Sequence, residues 1–212
     1  MRLMNIKGQG KISKAPDTIE IILDIITVNK DYEEMMKEAG QKISILTQQL
    51  VELGFDEKNL KTTNFMINAK YDNEYDQNGK HTQNFIGYET RHTVKLEFPI
   101  NLDLLSDVLS VISRNIVKPE LRILFTIKDK ALITKELLES AVKDAKNKAN
   151  ILANASGVRV GEIQEINYNW AEIRPYSDTM IAPQALYSIE KINIVPENIE
   201  LNEFVNISFE IV

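Results

Sequence analysis

Four oxygen-bearing side chains at alternate positions, Asp72, Glu74, Asp76 and Asn78, run up to Gly79. That spacing matches the start of a calcium loop, with Glu74, Asp76 and Asn78 as its first three ligands. The glutamate such a loop needs at its twelfth position is Phe85 here, and Glu74 replaces the usual leading aspartate. The bland reading is a solvated hairpin tip. A transition metal would require His81 and His92 to converge with a carboxylate, yet His92 alternates with Val94 and Leu96, the place of a satisfied strand histidine. Ser156-Gly157 lacks the preceding glycine of a nucleophile elbow and ends a helix rather than opening one. Gly8-Gln9-Gly10 has neither the third glycine nor the following helix of a dinucleotide fingerprint, and reads as a kink or bulge in a strand. Lys143, Lys146 and Lys148 share a helix with Glu139 and Asp144, the pattern of a mixed solvated surface rather than a nucleic-acid groove. The expectation is a chain with no catalytic set, no metal ligands and no cofactor: not an enzyme.

Composition narrows the field further. The 212 residues include no cysteine, which excludes a thiol nucleophile and a thiolate metal site. With 31 acidic against 25 basic side chains the net charge is −6, so non-specific nucleic-acid binding starts at a disadvantage. No stretch approaches the uninterrupted apolar length of a membrane span, and the first seven residues lack the apolar core of a signal peptide. On these residues alone the chain is expected to be cytoplasmic.

The elements that must position any site follow from period and punctuation. Residues 6–12 and 18–28 read as two strands around Pro16, a hairpin or a bent pair. Asp31 with Glu34 has capping-box spacing, and Met35, Ala39, Ile43, Leu46, Leu50 and Leu53 make a helical stripe ending at Gly54. Residues 62–75 and 85–98 form a strand pair joined through Asn78-Gly79, with Tyr88, Thr90, His92, Val94, Leu96 and Phe98 sharing one face. A shorter helix from Asn101 turns Leu102, Leu105, Leu109 and Ile112 inward; a strand carries Leu121, Ile123, Phe125 and Ile127. The longest helix, 129–156, presents Leu138, Ala141, Val142, Ala145, Ala149 and Leu152 to the core, pairs Glu139 with Lys143, and stops at Gly157. Strands over 158–170 and 199–211 flank an aperiodic segment at 171–188. The order β-β-α-β-β-α-β-α-β-β predicts an α+β fold: a mixed, largely antiparallel sheet covered by two long helices and one shorter one, as a single domain over 1–212.

Gly8-Gln9-Gly10-Lys11-Ile12 followed by Pro16-Asp17, Leu53-Gly54-Phe55 leading to Lys61-Thr62-Thr63-Asn64-Phe65, Gly87-Tyr88-Glu89, and Asp144-Ala145 through Ala155-Ser156-Gly157-Val158 together carry a resemblance. The chain resembles the SIMPL domain family over nearly its whole length, and the closing 200–211 strand fits as well. The resemblance implies a mixed α+β domain without established enzymatic activity, and bacterial relatives in the periplasm or outer envelope. Its motifs are structural glycines and strand patterns, so no catalytic residue carries over.

The remaining anomaly is apolar. Trp170, Ile173, Tyr176, Met180, Ile181, Leu186 and Tyr187 sit in the aperiodic segment, where they must fold back on the domain or meet another copy or a partner. Open strand edges give the same hint. The expected function is a non-enzymatic interaction or self-assembly module, a homo-oligomer or a protein binder of the cell envelope or cytoplasm. The alternative is a small-ligand or divalent-cation binder that uses the acidic 72–79 hairpin and the 171–189 loop.

Overall fold

The computed structural model describes residues 2–75, 81–114, 117, 119–169, 173–177, 179 and 194–212, with the backbone alone described at 73–75, 81 and 82. The chain forms two compact units: Met1–Asp17, Phe125–Thr179 and Pro196–Val212 make the first, and Thr18–Leu124 with Met180–Val195 the second.

In the first unit β1 (Leu3–Lys14), β7 (Ile199–Ile211) and β6 (Val160–Asn167) form an antiparallel sheet in the order β1-β7-β6, and α3 (Lys130–Ser156) packs on one face. Period-two alternation buries Ile6, Val205, Ile207 and Phe209 against Ala141, Ala145 and Ala149 of the helix. Asp129 caps α3 by accepting from the Leu132 amide at 2.9 Å, and Gly157 ends it at φ 72°, a left-handed position that glycine takes without steric cost.

In the second unit α1 (Tyr32–Glu52) and α2 (Leu102–Arg114) accompany a four-stranded sheet of order β3-β4-β2-β5, made of β2 (Thr18–Asn29), β3 (Leu60–Tyr75), β4 (His81–Pro99) and β5 (Glu120–Thr126), the last two residues of β5 belonging to the first unit. Helix α1 lies on β2 and β4 and touches α2, so Ile19, Ile21, Leu23 and Ile25 are buried with Met35, Leu46 and Leu50. The opposite face is polar. There Asp24 accepts from the Thr93 hydroxyl and from Arg91 at 3.3 Å, and Lys95 lies between Glu20 and Glu97 at 3.2 and 3.3 Å. Among the described residues no helix is long and apolar enough to cross a membrane.

The α+β class and the element order are as expected, and the strands divide between two sheets. Strands β1 and β2 do not pair with each other: β1 pairs β7 and β2 pairs β4. The link between them is held elsewhere, because the Asp17 amide donates to the Thr126 carbonyl at 3.0 Å and the Asp17 carboxylate accepts from the Lys128 amide at 2.9 Å. The stripe on α3 also differs from expectation. The buried residues are Ile133, Leu137, Ala141, Ala145, Ala149 and Ala153, while Leu152 is half exposed and Leu138 and Val142 only flank the core. Glu139 pairs with Lys135 at 3.9 Å instead of Lys143. In α2, Val108 is buried and Leu102 lies at the surface.

The glycines of Gly8-Gln9-Gly10 explain the shifted stripe. The pairing of β1 with β7 runs without interruption from Leu3 to Lys14, so there is no bulge. A Cβ on Gly8 would instead run into the Ala141 carbonyl oxygen and lie 2.8 Å from the Ala145 Cβ, and one on Gly10 would strike the Leu137 carbonyl oxygen. The helix backbone rests directly on the strand, and opposite Gly8 the seam is lined by Ala141 and Ala145.

Candidate functional site

The acidic hairpin tip at 76–80, with Asp76, Asn78 and Gly79, lies outside the described residues, as do the side chains of Glu74 and His81. His92 is braced within its own sheet. Its Nε2 lies 2.8 Å from the Thr62 hydroxyl and its ring meets Phe65 edge-on at 5.1 Å. Burial lowers its pKa, so the imidazole is neutral at physiological pH. Among the described residues no three of the His, Asp and Glu side chains gather as metal ligands.

Of the seven apolar residues in the aperiodic segment, Trp170, Met180, Ile181, Leu186 and Tyr187 lie outside the described residues. The other two fold back on the first unit. Ile173 packs on the cluster of Ile127, Ile133, Leu137 and Ile199. Tyr176 bridges Thr126, and Lys130 Nζ stands 5.8 Å above its ring. The Thr126 hydroxyl donates to the Pro175 carbonyl at 2.7 Å, which pins this stretch.

An exposed apolar surface lies on β3, which pairs with β4 on one side and, among the described residues, ends the sheet on the other. Register shifts fall between Thr62 and Asn64 and between Lys70 and Tyr71, leaving an unbroken run of seven pairs, Asn64 with Thr93 through Lys70 with Gly87. Alternate residues of such a strand turn their N–H and C=O groups away from the sheet, where no strand among the described residues pairs with them. Phe65 is 42% exposed and Met66 46%, and as neighbours they project from opposite faces. Past the second shift, Tyr71, Phe85, Tyr88 and Tyr32 continue as a row of edge-to-face rings with centroids 5.6, 5.3 and 5.5 Å apart. Sequence alternation predicts a strand here, but not that both of its faces are left uncovered.

A different arrangement meets the outer edge of β1. The Gln9 amide donates to Asp144 Oδ2 at 2.7 Å, and Lys148 Nζ donates to the Lys7 carbonyl at 3.2 Å. The same Asp144 oxygen accepts from Lys148 at 2.7 Å, one helical turn along α3. The Lys148 hydrogen bond, and then the Gln9 amide, hold the Asp144 carboxyl below the usual carboxylate range. On the open face of this sheet the Ser208 hydroxyl donates to Asn5 at 2.6 Å, and Lys7 Nζ stands 4.1 Å over the Phe204 ring.

No curated protein matches the sequence. The glycines that seat α3 on β1, the helix stop at Gly157 and the two antiparallel sheets are features of the scaffold. The chain belongs to the SIMPL family, described as a protein of unknown function (DUF541), whose model matches residues 4–209.

Proposed function

We propose that this chain is a non-enzymatic interaction and self-assembly module of the bacterial cell envelope or cytoplasm, acting by strand addition at β3. The observation that carries this reading is the unbroken 64–70 run at the end of the sheet, with Phe65 and Met66 exposed on its two faces. Strand addition satisfies the outward backbone groups, while apolar side chains on both faces bury surface against the incoming strand. Met180, Ile181, Leu186 and Tyr187 belong to the same proposal as a second apolar contributor.

Size-exclusion chromatography with light scattering tests it. The expected result is a concentration-dependent oligomer that Phe65→Lys with Met66→Lys returns to monomer. A strict monomer at high concentration, or an oligomer indifferent to both lysines, overturns the reading.

A further inference from the structure

We infer that Asp144 and Lys148 form a plug on the outer edge of β1, standing where a neighbouring strand would pair, and that the strand kept out is β6 of a second copy. In a β-strand the C=O of one residue and the N–H two residues on turn the same way. Lys7 and Gln9 stand in that relation, and both outward groups are taken by the plug, a carboxylate accepting where a C=O would and an ammonium donating where an N–H would. Gly8 and Gly10 make this geometry reachable, because they seat α3 close enough for its side chains to reach round the strand.

The pair does little for the core. Its side chains are 33% and 46% exposed, where an ion pair contributes little to stability. What it does do is close a strand otherwise well suited to pairing: twelve residues in continuous register, without a bulge or a proline.

Charge identifies the excluded strand. β1 carries Lys7, Lys11 and Lys14 and no acidic residue, so two copies of β1 repel. β6 is the opposite edge of the same sheet and carries Glu162 and Glu165 with no basic residue. Pairing β6 of one copy with β1 of the next continues the sheet head to tail, a heterologous contact that need not close and leads to long assemblies. The plug therefore acts against open-ended polymerisation.

The test uses the full chain carrying Phe65→Lys and Met66→Lys, so that its outcome is separate from the fate of the β3 proposal. Into this background go Asp144→Ala with Lys148→Ala, and separately Asp144→Asn with Lys148→Gln, which retain an acceptor and a donor. Sedimentation velocity is expected to show a concentration-dependent series of species larger than dimers for the alanine pair only, reversed by Glu162→Lys with Glu165→Lys. At a concentration where the alanine pair is still monomeric, amide exchange at Gln9 is expected to rise at least about tenfold. Should the alanine pair lose its helical circular dichroism, Asp144→Ala alone, which removes the acceptor of the Gln9 amide, gives the same rise in Gln9 exchange. Unchanged Gln9 exchange, absence of larger species, or assembly that survives the β6 lysines overturns the inference.

Discussion

Strands β1 and β3 are both sheet edges, and they are treated in opposite ways. β1 is the more regular, with twelve unbroken pairs, yet its outward amide at Gln9 and carbonyl at Lys7 are held by Asp144 and Lys148. β3 is interrupted twice, yet its seven-pair middle meets no further strand among the described residues, and Phe65 and Met66 are exposed beside it. Regularity of a strand therefore does not decide whether it is available. Availability depends on what a distant segment brings to the edge, and for β1 that segment lies 135 residues away. Of the other two edges, β6 carries two register shifts and β5 is seven residues long.

The largest expected effect comes from lifting the helix off the closed edge. Gly8→Ala forces its methyl against the α3 backbone, which cannot give way as a flexible side chain would, and should cost about 3 kcal/mol. Gly40 offers the matched control within α1. Among the described residues no atom beyond the local helix backbone comes within 4 Å of the Cβ position there, so Gly40→Ala should stabilise by up to about 1 kcal/mol through helix propensity. Urea unfolding followed by circular dichroism measures both, and a neutral Gly8→Ala would remove the close seam on which the plug depends.

Next in size is the open edge. Phe65→Lys with Met66→Lys should weaken self-association at least about tenfold while changing stability by no more than about 0.5 kcal/mol per site, as exposed substitutions do. A large loss of stability would mean instead that these side chains serve the fold. That result would erase the contrast between the two edges.

Much of the scaffold was legible from residue pattern. Asp31 caps α1 by accepting from the Glu34 amide at 2.9 Å, Asn101 does the same for Leu104 at 3.0 Å, and Asp129 and Gly157 bracket α3 as their types require. These signals are local, so sequence contains them whole. The α3 stripe was misjudged because periodicity favours the bulkiest apolar residues, whereas contact with a glycine strand selects the smallest; Leu152 lost its expected place to Ala153. The pair of Asp144 and Lys148 is visible as an i,i+4 spacing, but nothing local says that it grips β1. Which strand becomes an edge is a property of the assembled sheet. Hence the alternation of β3 marks a strand but not an edge, and the apolar residues from Trp170 to Tyr187 are the stronger local sign of a contact surface.

The smallest effects are in pH, and they separate the two edges by the group that titrates. Asp144 faces Lys148 on its own helix, Lys11 across the strand, and Lys143 in the same shallow depression. Its lowered folded pKa means that the plug is intact at neutral pH, and that its contribution is lost only as pH falls through that lowered value. The Gln9 amide shift should therefore inflect below the usual aspartate range, and Lys148→Ala should move the inflection upward. His92 on the β3 side behaves differently, because burial lowers the pKa of a base. The unfolded chain then takes up the proton first, near pH 6.5, so the His92 contribution is whole above that value and declines as pH falls below it. Between neutrality and mild acid the brace of Thr62, Phe65 and His92 should loosen while β1 stays closed, and amide exchange at Phe65 should rise relative to Gln9 once each is corrected for its intrinsic rate. Equal loosening of both strands over that interval would mean that the edges are not independently held, and the distinction between a guarded and an open edge would fail.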